Sequence, residues 1–488
     1  MNIVIANSIG KDKNGFYIIH SPSRWSEGVR SEFHWFAYYP WELAYLSSLL
    51  KKNTRENVRL LDGCLMRLDR HAYYDCIIRE KPDFLIMESA TRMIEENVSL
   101  ALDVKRKLGT KLVFAGQHAS AFPERLLEQG IDYVCVGEYE YTVLELIQGK
   151  QKEAIPGLYP QPRRELLDVK RLPWPEDRDV SRLAYATPGE PSSEFSEIQM
   201  YASRGCPGAC NFCVARHVYY EQPNWRPREV ADVVKEIEYL KNKYPAMEGV
   251  FFDEEVHNAN KRFMLELTAA IIAAGLDRLR FEAMCDVRFL DEEVLVAMKR
   301  AGYYKIRVGI ETASDKVLQA INKNIDIDII RRSLKTAKKV GLKTYGTFTF
   351  GALGSDKAED EKTVDFIREL VSARLLDNLQ LSICTPQPGT PFYHTAQAKG
   401  WLRPGISFEQ FDGGTQAIIS YPAYDSRSIE KMKNKALLVR DHYFLKVKSD
   451  FWGWVRSILR RYGIFGAFIK GLYRLKLEFK YQWIRWHR

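Results

Sequence analysis

The sequence predicts an α/β fold in two successive units, a doubly wound parallel sheet and then a full or partial β/α barrel, ending in a basic helical tail. Three observations predict it. Strand and helix patterns alternate over residues 1–150 and again over residues 196–400. Three of the eight cysteines fall within eight residues, directly after the first strand pattern of the second series. Residues 451–488 hold nine basic residues against one acid, Glu478, so +8 of the formal net charge of +9 sits at this end. A chain of 488 residues exceeds one ordinary core.

In the first unit, short apolar and β-branched runs fall at Ile3–Ala6, Val58–Leu61, Phe84–Met87, Lys111–Phe114 and Tyr133–Val136, with helical patterns such as Glu95–Leu108 and Ala121–Gln129 between them. Ligands on a doubly wound sheet bind at the carboxyl ends of the strands. Those ends read Asn7-Ser8, Asp62-Gly63, Glu88-Ser89, Ala115-Gly116-Gln117-His118 and Gly137-Glu138. They suit backbone approach to a ligand and equally suit plain turns. The connection before the helix starting near Trp41 is long. Its aromatics, Phe16, Tyr17, Trp25, Phe33, Trp35, Phe36, Tyr38 and Tyr39, predict a folded flap rather than disorder.

Residues 151–195 carry Pro156, Pro160, Pro162, Pro173, Pro175, Pro188 and Pro191 and read as a linker. The second series offers strands at Ile198–Ala202, Val250–Phe252, Leu279–Ala283, Ile306–Ile310, Thr344–Phe350 and Leu379–Ile383. Six such units predict a barrel over 196–400 whose chemistry sits at the carboxyl strand ends. Residues 401–450 read as a helical extension and 451–488 as a basic aromatic amphipathic tail.

Hydrophobic residues at 46% and charged residues at 28% exclude a fibrous or disordered chain. No apolar stretch approaches the ~20 residues that span a bilayer. The start, Met1–Ile5, has no basic segment of a secretory signal, so the cysteines are expected to be cytosolic thiols or metal ligands. The tail mixes its cations with Trp452, Trp454, Phe465, Phe468, Tyr473, Phe479, Trp483 and Trp486, the composition of a helix lying in a membrane interface. Docking on the protein's own body and binding to nucleic acid are the rival readings, nucleic acid the least favoured.

Cys206-Pro207-Gly208-Ala209-Cys210-Asn211-Phe212-Cys213 has the spacing C-x3-C-x2-C. Pro207 and Gly208 favour a loop that points three sulfurs at one centre. Three thiolates hold three irons of a cubane cluster and leave the fourth open, whereas a cluster is normally held by four. Zinc is the alternative, with His217 as fourth ligand.

This loop resembles that of the radical S-adenosylmethionine (SAM) enzymes, Phe212 being the aromatic residue before the third cysteine. Val250–Glu255 resembles the acidic end of that family's second strand, Gly309-Ile310-Glu311-Thr312-Ala313-Ser314 its G-x-E-s segment, and Pro386–Pro391 its late P-x-PGT segment. Phe114–Pro123 and Asp132–Glu140 resemble the cobalamin-binding, flavodoxin-like half of B12-type members. The layout is similar to the anaerobic magnesium-protoporphyrin ester cyclase and to radical SAM proteins of hopanoid biosynthesis. The resemblance implies a [4Fe–4S] cluster on Cys206, Cys210 and Cys213. It implies SAM held by Asp253 or Glu254 at its ammonium, by Glu311 at its ribose or methionyl end, and by the backbone at Phe212 at its adenine. It implies cobalamin against Ser89, Gly116, Gln117, His118, Gly137 and Glu138. The cobalt-ligating motif D-x-H-x-x-G is missing after the first strand. Asp69-Arg70-His71 matches it in part, but His71 reads as a helix-surface residue.

The expected activity is cleavage of SAM at the cluster to methylate, rearrange or cyclise an unactivated carbon of an apolar intermediate such as a lipid, isoprenoid or porphyrin. The expected partners are that substrate, an electron donor of flavodoxin or ferredoxin type and a membrane surface at 451–488, in a cytoplasmic enzyme peripheral on the inner face. A tRNA methylthiotransferase is the rival enzyme, but it requires further cluster cysteines, and Cys64, Cys76 and Cys135 are badly placed for them. A non-enzymatic metal-binding, membrane-associated module is the other rival. Cys384 and those three read as core fillers, and Cys285 lies past a strand end.

Overall fold

Two parallel sheets carry the chain. The computed structural model describes residues 1–11, 17–19, 28–29, 37–88, 90–187 and 193–447, with 459, 463–466, 468–469, 471–472, 475–476, 479 and 482–483 of the tail. Ser89, the flap residues Phe16, Trp25, Phe33, Trp35 and Phe36, and the tail residues Trp452, Trp454, Tyr473 and Trp486 lie outside the described residues.

The first sheet holds β1 (Asn2–Ala6), β4 (Asn57–Leu61), β5 (Phe84–Glu88), β6 (Lys111–Ala115) and β7 (Tyr133–Val134), all parallel, in the order β4-β1-β5-β6-β7. The two-residue strands β2 (Ile18–Ile19) and β3 (Gly28–Val29) pair only with each other. Counted without that hairpin, the order is the flavodoxin-like 2-1-3-4-5, and its crevice opens beyond the carboxyl ends of β1 and β5. The run Phe84-Leu85-Ile86-Met87-Glu88 is buried throughout, because a central strand has helices on both faces.

The second sheet runs β15-β14-β13-β12-β11-β8, six parallel strands in sequence order: β8 (Glu197–Met200), β11 (Gly249–Phe252), β12 (Arg280–Cys285), β13 (Tyr303–Glu311), β14 (Lys343–Phe350) and β15 (Asn378–Ile383). The barrel is therefore partial, with β8 and β15 at its edges. Strands β9 (Ser203–Arg204) and β10 (Arg226–Pro227) form a small antiparallel ribbon beside its mouth. The helix Ser426–Val447 packs on the helix Lys357–Ser372 and on β14 and β15.

Two local expectations are corrected. In place of one helix over Ala121–Gln129 there are two, Gln117–Ala121 and Pro123–Glu128, broken at Phe122. Pro123 cannot continue a helix and drives Phe122 to φ −136°. The strand over Tyr133–Val136 ends at Val134, and Cys135 forms an antiparallel bridge with Leu158.

Residues 151–187 are ordered by contacts to both units. The Tyr39 hydroxyl donates to the Glu176 carbonyl, and Lys51 and Arg59 pair with Asp179 at 2.6 and 3.0 Å. Arg182 is fully buried; it pairs with Glu236, donates to the Gln199 carbonyl at 2.8 Å and lies over the rings of Tyr39 and Trp41. Prolines in this stretch set the path of a strap rather than free a tether.

Candidate active site at the barrel mouth

The cysteine loop leaves β9 through Gly205, whose φ of 99° lies in the left-handed region and whose Cβ would meet Asn224 Oδ1 at 1.9 Å. Asn211 N donates to the Ile321 carbonyl at 3.1 Å, Asn211 Nδ2 to the Ala320 carbonyl at 2.8 Å and Asn322 Nδ2 to the Ala209 carbonyl at 3.1 Å. The loop is thus fastened to the turn that follows the helix Asp315–Ala320.

Cys206, Cys210 and Cys213 border one cavity of about 220 Å³, together with Phe212, Asp253, Glu254 and Glu311. Among the described residues, no three His, Cys, Asp or Glu side chains lie close enough together to hold one ion. A cubane spreads three sulfurs over three irons, and three thiols bordering one cavity are the donor set that would hold it. His217, the proposed zinc ligand, has Nε2 3.1 Å from the Cys210 carbonyl. Burial raises all three thiols, Cys206 to about 11, so ligation must displace their protons.

Asp253, at the end of β11, borders the cavity. Glu254 is fully buried; its carboxylate accepts from Ala202 N at 3.3 Å and lies 2.6 Å from His257 Nδ1, and His257 Nε2 lies 2.8 Å from the Tyr303 hydroxyl. Glu255 accepts from the Tyr220 hydroxyl at 2.8 Å and from Gly205 N at 3.1 Å. Asp253, Glu254 and Glu255 all border the cavity, and Glu254 and Glu255 are in addition tied to the end of β8 and to the start of the cysteine loop.

Glu311 follows a register shift in the β13–β14 pairing, and its own φ is 66°. That bulge turns its carboxylate inward. Sequence reasoning missed its partner: Lys323 Nζ lies 2.8 Å from Glu311 Oε1. A Cβ on Gly309 would sit 2.6 Å from that oxygen and 2.9 Å from Nζ, so the pair fills the space glycine leaves. Lys323 sits on the turn that fastens the cysteine loop, and its charge bears on Cys210. The signal in the sequence was only a lysine after a helix end.

The first sheet turns its strand ends toward this mouth. Gly116 has φ 96°, and a Cβ there would strike Glu88 Cγ at 2.6 Å. Glu88 accepts from the hydroxyls of Tyr219 and Tyr139. Gln117 is buried, and Gly137 N donates to Ser120 Oγ at 2.9 Å. His118 has Nδ1 3.3 Å from Thr91 Oγ1 and its ring between Phe122 and Phe408, and burial lowers it to about 3, so it stays neutral. Burial pushes the Glu138 carboxyl up, but Arg204 and Arg226, at 3.1 and 2.8 Å, outweigh it and hold the group ionised. Arg204 also reaches Glu140 at 2.6 Å, tying the two units together. Tyr38, from the segment before the helix Trp41–Asn53, reaches the cavity wall.

Four buried polar atoms at this interface, Trp41 Nε1, Glu42 Oε2, Glu140 Oε2 and Arg204 Nη2, have no partner among the described residues. Such atoms call for water or a polar ligand, and the amide-fringed rim of a corrin fits them. His71 stands on its helix surface, with Asp75 3.6 Å away. Cys64, Cys135 and Cys384 are buried in the core, Cys76 is partly buried, and Cys285 borders the cavity.

Residues 200–367 match the family described as the radical SAM superfamily. An uncharacterized methyltransferase of Pyrococcus horikoshii is 28% identical over 453 residues, covering 89% of this chain and 94% of that protein. A putative methylthiotransferase of Methanocaldococcus jannaschii is 29% identical, covering 64% and 69%. The anaerobic magnesium-protoporphyrin IX monomethyl ester cyclase of Cereibacter sphaeroides is 24% identical, covering 72% and 59%. Two solved structures share the fold. The radical SAM methyltransferase TsrM from Kitasatospora setae has a TM-score of 0.63 at 17% identity, covering 88% of this chain and 84% of its own. The cobalamin-dependent SAM radical enzyme OxsB has a TM-score of 0.69 at 13% identity, covering 94% and 69%. Residues 200–367 thus carry a radical SAM domain, which marks the chain as an enzyme using SAM and a [4Fe–4S] cluster, and the chain shares the fold of the cobalamin-dependent enzyme OxsB.

Proposed function

We propose that this enzyme is a cobalamin-type radical SAM methyltransferase acting on an unactivated carbon of an apolar biosynthetic intermediate, a lipid, isoprenoid or porphyrin-like molecule. One observation carries the reading: three thiols, Asp253, the Glu311–Lys323 pair and Tyr38, the last from the flavodoxin-like unit, meet at a single cavity. Methyl transfer is favoured by the Pyrococcus relative, which this chain matches over 94% of its length. The cyclase relative supports radical ring closure or rearrangement as the second reading.

When bound, the cluster with SAM supplies one-electron cleavage of a sulfonium, and cobalamin supplies a transferable methyl group. The chain's own residues place and seal. Cys206, Cys210 and Cys213 hold three irons. Asp253 binds the ammonium of SAM by charge-assisted hydrogen bonds, and Glu311, steadied by Lys323, takes the ribose or methionyl end. The backbone at Phe212 meets the adenine. Gly116, Gln117, His118, Gly137 and Glu138 border the corrin, and the neutral, enclosed His118 packs rather than ligates. Phe251, Val256 and Met284 give the cavity an apolar wall suited to an apolar substrate. Tyr38 and the strap exclude water. A flavodoxin or ferredoxin supplies the electron, and the enzyme works in the cytoplasm at the inner membrane face.

Anaerobic reconstitution with iron, sulfide and cobalamin, then reduction with SAM, tests this. The expected result is a cobalamin absorbance spectrum with both 5′-deoxyadenosine and S-adenosylhomocysteine. Release of 5′-deoxyadenosine without cobalamin uptake would remove methyl transfer, and bound zinc with neither product would remove the whole reading.

A further inference from the structure

The described residues beyond 458 are helical, and their apolar side chains face outward. Of the fifteen large hydrophobic side chains exposed among the described residues, nine lie at Leu459–Trp483, while the other six are scattered over the body. Ile464, Phe465 and Phe479 are 83%, 77% and 78% exposed. Phe465, Phe468, Leu472, Leu475, Phe479 and Trp483 recur at steps of three and four, which puts them on one face of a helix. Isolated exposed hydrophobics are ordinary, but a continuous apolar stripe on a soluble surface marks an interaction site.

The charge pattern selects the occupant. Over 459–483 the sequence holds Arg460, Arg461, Lys470, Arg474, Lys476 and Lys480 against one acid, Glu478. The body leaves these apolar side chains exposed, so it does not cover them. Nucleic acid would stack on Phe and Trp but has no use for the aliphatic Ile464, Ile469, Leu472 and Leu475 between them. No helix is long and apolar enough to cross a membrane among the described residues. An apolar helical stripe in a segment this rich in Lys and Arg matches a helix lying in the plane of an anionic bilayer.

We propose that residues 459–483 dock the enzyme on an anionic lipid surface, with the Phe465–Trp483 stripe in the acyl boundary and the cations at the headgroups. The proposal deepens the reading of an apolar substrate and rests on that reading only for its purpose. The binding itself needs no cofactor.

Co-sedimentation of the full-length holoenzyme with phosphatidylcholine vesicles, with and without phosphatidylglycerol, tests it. The wild type should pellet with the anionic vesicles and be released by salt. Phe465→Ser/Phe479→Ser/Trp483→Ser should lower partitioning more than tenfold, since each residue buries a large apolar area. It should keep its iron content, circular dichroism and formation of 5′-deoxyadenosine, which separates this proposal from the catalytic one. A wild type that stays in the supernatant, a triple variant that pellets equally, or a stripe that instead mediates self-association or RNA binding would overturn it.

Discussion

Replacing Arg204 with Met tests the joint between the two units. Arg204 is buried, with a side-chain exposure of 3%, and it contacts Glu138 at 3.1 Å and Glu140 at 2.6 Å. Glu138 keeps Arg226, whose Nη1 and Nη2 lie 2.8 and 3.0 Å away. Glu140 has no other partner among the described residues, and one of its oxygens is already unpartnered. The substitution therefore strands one buried carboxylate. Breaking a buried pair from one side costs about 3–5 kcal/mol, and a single stranded charge places the loss near the lower figure. If the chain melts as one unit at about 2.1 cal/mol/K per residue, its unfolding entropy is about 1 kcal/mol/K, so Tm falls by about 3 °C. Differential scanning calorimetry reads that shift. Adding Glu140→Gln should recover at least half of it, because a neutral amide no longer demands a counter-charge. A single variant within 1 °C of wild type, or a double variant no better than the single, would refute the ionic account of this interface.

Three further outcomes are expected. Glu311→Gln and Lys323→Met should each weaken SAM binding about tenfold or more by isothermal titration. Their double variant should fall well short of the sum, since the two groups act as a pair. His118 has its pKa lowered to about 3 by burial and by Arg125, below its unfolded value near 6.5. The unfolded chain thus binds the extra proton, so stability is lost as pH falls from about 6.5 toward 3, and His118→Phe should flatten that part of a urea-midpoint profile. Changing Cys206, Cys210 and Cys213 together to Ser should take reconstituted iron from about four per chain to almost none, with far-ultraviolet circular dichroism unchanged.

The sequence by itself determined what depends on neighbours along the chain. Alternation of β-branched runs with amphipathic helices located both parallel sheets. The spacing of three cysteines around Pro207 and Gly208 marked the cluster loop, and the acidic and glycine-containing strand ends marked its surroundings. Only the tertiary structure decided which of those side chains face the cavity. Asp253 and Glu254 both border the ligand space, but only the folded chain shows that Glu254 is also held against His257. Glu311 turns inward through a bulge and a left-handed φ, and it meets a lysine twelve residues on across a folded turn. The prolines of 151–195 read as a linker. Arg182 and Glu176 show a fastened strap, since a buried charge needs a partner and its partners here come from distant segments. Local pattern specifies elements, but the direction and pairing of polar side chains are settled only when separate elements pack and every buried charge has to find its counterpart.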